Sequence, residues 1–390
     1  MRACYIGYVV QAIVNNFAPL LFVTFNSSYG IPFDKIGTLI TINFGIQLIV
    51  DLLSSHFVDK IGYRTSVVAA HALASAGMFL LAFLPDLFSD HYIGILVPLA
   101  FLSVGGGLIE VVISPIVEAC PCEHKESHMS LLHSFYCWGH VLVVLLSVAF
   151  FASAGIENWR YLSIAFAFVP LFNAFVFARV PIRTLEEDKN SESLPLKKLV
   201  RKKMFWVMLL MMLGAGASEL AVSQWASAFA ENGLNISKSA GDLAGPMSFA
   251  VLMGLSRVLY SKVGSKVPVE SAMLGSGVLC FISYLIISLS PQPFLSLIGC
   301  ALCGFSVGVM WPGTYSLASK RLRGGTAMFA VLALAGDLGC SLGPTLVGII
   351  AGGSGESMKL GILAGSFFPI LLIVGVIACL RMKKSAKNDV

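Results

Sequence analysis

The sequence predicts an all-α membrane protein of twelve spanning helices, and three observations predict it. Hydrophobic residues make up 57% of the 390 positions and charged ones only 12%, where a soluble domain carries about 25% charged residues. Apolar runs of roughly 20 residues, the length that crosses a hydrocarbon core, recur between short polar, Pro or Gly breaks. Lys and Arg crowd alternate connections, the bias that marks the cytoplasmic face of a bilayer.

The runs extend from Cys4 to Phe25, Ile36 to Val58, Thr65 to Leu84, Ile93 to Val117, Met129 to Phe151 and Tyr161 to Ala178. The second six run from Met204 to Ala230, Ala240 to Ser261, Val269 to Leu289, Phe294 to Ala318, Thr326 to Ile350 and Met358 to Leu380. The first is led only by Met1-Arg2, is too long for a secretion signal and precedes no Ala-x-Ala site, so it reads as a span. An even number of spans puts both termini on one side. With the termini in the cytoplasm, only Lys35, Arg160, Lys238 and Lys359 of the 26 basic residues fall outside, and Arg257 alone lies within a span. The net charge of +5 therefore follows from topology and gives no support to a nucleic-acid partner. The nine cysteines are scattered and read as small apolar packing residues, not a disulfide framework.

The inner connection from Arg179 to Lys203 holds Glu186-Glu187-Asp188-Lys189-Asn190-Ser191-Glu192, too charged to build a core. It divides the chain into a bundle over 1–178, a cytoplasmic linker over 179–203 and a second bundle over 204–390. The turn Asp59-Lys60-Ile61-Gly62-Tyr63-Arg64 after the second span is echoed by Ser261-Lys262-Val263-Gly264-Ser265-Lys266 after the eighth. Glycine permits the sharp reversal, and Arg64 lies where it can meet anionic headgroups or a carboxylate. Asp, a basic residue, Gly and Arg at this spacing resemble the signature loop of the major facilitator superfamily, with its usual leading Gly and one Arg missing. The twelve spans, the six-plus-six division and the echoed turn extend the resemblance over nearly the whole chain. It implies the major facilitator fold of two pseudo-symmetric six-helix bundles and a cytoplasmic gate latched by Asp59, Gly62 and Arg64. Asp51, toward the inner end of its span, and Arg257 are grouped with that gate, and Arg257 also reads as a structural counter-charge.

Four acids sit inside spans: Asp51, Glu110, Glu219 and Asp337. A charge at bilayer depth costs about 2.5–3.5 kcal/mol or more, so such an acid is a functional candidate by default. One intramembrane cation cannot pair with all four, so some are protonated or face water. Glu110, Glu219 and Asp337 are the expected coupling acids; hydrogen bonding to a neighbouring helix is the alternative for Glu110, and cation binding or helix packing for Asp337. Gly105, Gly106 and Gly107 precede Glu110 and Pro115 follows, marking either a hinge or close packing.

Other polar residues form stripes at helical spacing: Gln11, Asn15 and Asn16; Asn43 and Gln47; His133, Tyr136 and His140; Gln224 beside Trp225; Trp311 and Tyr315. A bilayer offers amides and imidazoles no partner, so these faces are expected to converge on an interior cavity. Carboxamides hydrogen-bond hydroxyls and aromatic faces stack on sugar rings, which favours a polyol over a lipid. The histidines read either as a proton relay or as packing, and the aromatic residues either as ligand platforms or as packing. Cys120, Cys122, His124 and His128 share an inner loop whose spacing matches no zinc pattern, so a flexible loop is expected there.

A fourth-span acid behind a Gly-rich run, with Asn-rich text in the first span, is similar to the fucose permease branch, which carries fucose, galactose or glucose with protons. That resemblance implies a proton-coupling role for Glu110. The first-span acid of that branch has no counterpart in Gln11-Ala12-Ile13-Val14-Asn15-Asn16. The expected protein is a secondary active transporter working by alternating access, a symporter of a sugar or similar small polar solute. A monomer in a bacterial inner membrane is expected, with no cofactor and a proton or sodium ion as coupling ion. The alternatives are a drug or metabolite efflux antiporter, a non-transporting sensor, or an intramembrane protease using Asp51 and Asp337, against which Leu334 stands where its motif needs Gly. No Gly-rich Lys-Ser/Thr motif for ATP is present.

Overall fold

The computed structural model describes residues 1–118, 120, 125–182, 196–263, 267–322, 325–352 and 357–388. Among them there is no strand, and 12 helices are long and apolar enough to span a membrane. They are Arg2–Tyr29, Phe33–Ser54, Tyr63–Leu87, His91–Ser114, Leu131–Ala154, Ile156–Arg179, Lys203–Ser223, Lys238–Tyr260, Val269–Leu289, Pro293–Ala318, Val331–Ala351 and Met358–Met382. The ninth has the bounds expected from sequence. Others are interrupted for local reasons. In the first span Pro19 has no N–H to donate, and Ala18–Leu21 tightens into a 3-10 turn. Pro246 likewise lies in a π-helical turn, Leu243–Met247, of the eighth.

By contact the chain forms two units, Met1–Glu187 with Ala230–Leu243, and Asp188–Phe229 with Ala244–Val390. In the first, the third span packs against the fourth and sixth. Small polar side chains tie it there: Ser75 Oγ donates to the Ala167 carbonyl at 2.9 Å and Ser163 Oγ to that of Met78 at 2.8 Å. In the second, Gly339 and Gly343 of the eleventh span have their α-carbons against the backbone of Leu213 and Ala217, so a Cβ at either would collide with main chain. The seventh and eleventh helices therefore approach as closely as small residues permit in membrane bundles.

Gly62 adopts φ 89°, ψ 148°, ending the helix Phe33–Ile61 and starting Tyr63–Leu87. Only glycine holds that backbone without strain, so Gly62→Ala should cost about 1–3 kcal/mol, read as a lower melting temperature in detergent. Arg64 donates Nη1–H to the Ala178 carbonyl at 2.6 Å. It thus caps the last turn of the sixth span, where unpaired carbonyls attract a cation. The side chains of Asp59, Lys60 and His128, the echoed Gly264 and Lys266, Cys122, His124 and the linker 183–195 lie outside the described residues. Among the described residues no group of three or more His, Cys, Asp or Glu could hold a metal ion.

Candidate functional site

In the first unit the polar face of the first span meets polar side chains from three other helices. Tyr8, Gln11 and Asn15 recur at intervals of three and four residues, which lines them along one face. Gln11 Nε2 donates to Glu110 Oε2 of the fourth span at 3.2 Å. One turn further on, Gln47 Nε2 of the second span donates to Asn15 Oδ1 at 3.2 Å. Asn16 Nδ2 donates to the Tyr136 hydroxyl of the fifth span at 3.3 Å and to the Ala12 carbonyl at 2.9 Å. Tyr8 and Ser114 hydroxyls share a hydrogen bond of 3.0 Å, and the His133 ring stands edge-on to Tyr8 with centroids 5.1 Å apart. Ser103 Oγ lies 2.6 Å from both Asn43 Oδ1 and the Leu99 carbonyl.

Gln11, Asn15, Asn16, Gln47 and His140 are buried, Asn43, Asp51 and Tyr136 half-buried, Glu110 and His133 exposed. A side-chain hydrogen bond between membrane helices averages only about 0.6 kcal/mol. The network therefore does more to orient these groups than to hold the unit together. The triple glycine makes the approach possible. A Cβ on Gly105 would lie 2.8 Å from the Ala70 carbonyl oxygen, one on Gly106 3.1 Å from Val14 Cγ1, and one on Gly107 3.2 Å from Gln47 Cα. The three glycines face the third, first and second spans in turn, and His91–Glu118 runs through them as an unbroken helix. Of hinge and close packing, the geometry is that of close packing.

In the second unit Arg257 of the eighth span lies 3.9 Å from Glu219 of the seventh. Met253 Sδ is also beside it, at 3.8 Å. Asp337 is half-buried on the eleventh span, and the Trp311 indole covers the bare face of the preceding Gly336. Trp311 and Tyr315 stand edge to face at 6.3 Å. Gln224 is buried. Trp225 is 0% exposed and donates its indole N–H to the Pro344 carbonyl at 2.9 Å, the geometry of core packing.

Several polar clusters went unread in the sequence. His71 Nδ1 lies 2.8 Å from the Val67 carbonyl, and its Nε2 accepts from Asn173 Nδ2 at 2.8 Å, with Asn173 also donating to the Ala3 carbonyl at 3.0 Å. The signal was available, since each is a single polar residue in an apolar run. Arg160 binds both Asp86 carboxylate oxygens, at 2.9 and 2.7 Å, and the Tyr29 hydroxyl at 2.8 Å. Arg321 meets Glu270 at 2.6 Å. Those charges sit at helix ends, where sequence gives no pairing.

Asp242, within the eighth span, is 1% exposed and lies 3.0 Å from Lys238 Nζ, which is 3.8 Å from Glu231 in the preceding connection. Burial pushes the Glu231 carboxyl above its ordinary value; Lys238 opposes the shift and Asp242 adds to it. The folded chain thus holds this proton more tightly than the unfolded chain. Stability present below the ordinary value of 4.5 is lost as pH rises through the raised folded value. Glu231→Gln should flatten that part of the curve of melting temperature against pH.

The chain belongs to the major facilitator superfamily, whose family model matches residues 4–344. It is a major facilitator transporter, an integral multi-pass membrane protein. No curated protein matches it. Among solved structures, a bacterial homolog of the human lysosomal transporter Spinster is 12% identical with a TM-score of 0.80, over 97% of this chain and 96% of that one. A D-xylose–proton symporter is 14% identical with a TM-score of 0.77, over 97% and 96%. The E. coli fucose:proton symporter FucP is 15% identical with a TM-score of 0.64, over 97% and 98%. At these identities the likeness is one of fold.

Proposed function

We propose that the chain is a proton-coupled symporter of a small polar solute, of the sugar class, working by alternating access with Glu110 as the principal proton-carrying acid. The observation that carries this reading is the Gln11–Glu110 hydrogen bond. It sets an exposed carboxylate at membrane depth beside a line of carboxamides suited to hydroxyl groups. Gln11, Asn15, Asn16, Asn43, Gln47 and Tyr136 are the candidate solute-binding set of the first unit, and Trp311 and Tyr315 are aromatic candidates within the second. Asp337 is the second candidate for the proton; Glu219, with Arg257 beside it, is a paired charge. Symport of sugars with protons by two proteins of the same fold supports the solute class. Reciprocity supplies the mechanism: if protonation of Glu110 favours solute binding, bound solute must favour protonation, and the two cross together. The reading also places a monomer in a bacterial inner membrane with both termini in the cytoplasm, as the distribution of Lys and Arg favours.

The test is uptake of a radiolabelled sugar panel into proteoliposomes, with and without an inward proton gradient. Accumulation that follows the gradient is expected for at least one monosaccharide. Accumulation following an imposed sodium gradient alone would replace the proton by sodium, and solute expulsion driven by protons would make the chain an antiporter.

A further inference from the structure

Gln11 is 3% exposed, and the two ends of its carboxamide are treated differently. Nε2–H donates to Glu110 Oε2 at 3.2 Å, whereas Oε1 is buried and accepts no hydrogen bond among the described residues. A buried amide oxygen without a donor is unfavourable, and the bare α-carbon of Gly106 lets the first and second spans close in beside it. A Cβ at Gly106 would lie 3.4 Å from Gln11 Oε1 and 3.7 Å from Gln47 Cδ, so the orphaned oxygen and the Gln47 carboxamide border the same small volume. Gln47 in turn donates to Asn15.

A carboxylate only accepts hydrogen bonds, whereas a carboxylic acid also donates one; a carboxamide serves either by turning over about its terminal torsion. We propose that Gln11 is a positioning residue that reads the protonation state of Glu110. With Glu110 ionised, the amide donates Nε2–H to it. With Glu110 protonated, the amide turns over and Oε1 accepts the acid O–H, which gives that oxygen its missing partner and moves the N–H group to the Gly106 side, against Gln47. The change then reaches the Gln47–Asn15 pair, within the candidate solute-binding set. This inference rests on the proton-coupling role assigned to Glu110 and adds the residue that transmits it.

Other titratable groups on the helices packed against the fourth span include Tyr5 and Tyr8 on the first, Asp51 on the second, His71 on the third, and His133, Tyr136 and His140 on the fifth. All stay in place in the variants below, so their signals cancel between samples.

The experiment is infrared difference spectroscopy of the full-length protein in lipid nanodiscs, stepped between neutral and acid pH, with no solute added. An acid carbonyl band at the frequency of a hydrogen-bonded carboxyl is expected, lost in Glu110→Gln. With glutamine labelled by carbon-13 at the side-chain carbonyl, the pH step should also move a labelled amide band, and that movement should vanish in Gln11→Met. In Gln11→Met, which keeps length and apolar volume, the Glu110 band should shift to the frequency of an acid without an amide partner. Where Gln11→Met does not fold, the labelled wild-type spectrum decides alone. A Glu110 band that titrates with no labelled amide change overturns the inference and leaves the coupling role standing. No Glu110 band at any pH overturns both.

Discussion

Replacing Glu110 by glutamine is expected to abolish accumulation of solute against a gradient while leaving exchange of solute across the membrane largely intact. A carboxamide and a carboxylate have nearly the same shape, and Glu110 is exposed, so the substitution changes the charge with little change of packing. What the variant loses is the ability to take up and shed a proton, and with it the reciprocal linkage that makes a proton gradient drive solute. Exchange at equal concentrations needs only binding and reorientation. A single altered hydrogen bond is worth about 1 kcal/mol, so exchange should stay within about tenfold of the unsubstituted protein. Counterflow and gradient-driven uptake in the same proteoliposome preparation separate the two. Undiminished accumulation in the variant would take the proton from Glu110 and leave Asp337 as the acid to examine.

Arg257→Leu should lower stability by about 3 kcal/mol, enough to read clearly. Arg257 and Glu219 face one another at 3.9 Å with side chains 22% and 12% exposed. Removing one member of a buried pair leaves the other charge uncompensated, at a cost of about 3–5 kcal/mol. The residual exposure and the long separation put this pair at the lower end of that range. Replacing both members by apolar groups of similar volume is often neutral. The double variant Arg257→Leu with Glu219→Leu should therefore recover most of what the single one loses, read as melting temperatures of the four proteins in one detergent. If the double variant melts no higher than Arg257→Leu, the pair contributes through packing and not through charge compensation.

The spans were legible because a bilayer offers backbone groups no hydrogen-bond partner, which makes apolar length a sufficient signal for a helix. The ninth span, with no interior charge or proline, was read to the residue, while the first was read as one run although Pro19 inserts a 3-10 turn. The polar faces were legible for the same reason as the spans: Asn43 and Gln47, or Gln11 and Asn15, fall four residues apart and share a side. Their pairing was not. Nothing in the order of residues says that Gln11 meets Glu110, that Asn15 meets Gln47 or that Asn16 meets Tyr136, because those contacts join positions from 32 to 120 residues apart. Trp225 and Trp311 look alike in sequence, each beside polar neighbours. Structure separates them: one is sealed in the core on the Pro344 carbonyl, the other lies half-buried across Gly336.

By itself the sequence determined the solvent this chain lives in, its helical class, its spans and the helices that carry acids and amides, since each depends on local composition and a period of 3.6 residues. The tertiary structure decided which of those polar groups touch, which are sealed from everything but protein, and what the glycines are for. Those outcomes depend on how closely helices distant in the chain can approach, and that distance is set at the contact between Gly106 and Val14 or between Gly339 and Leu213, where two surfaces must fit at once.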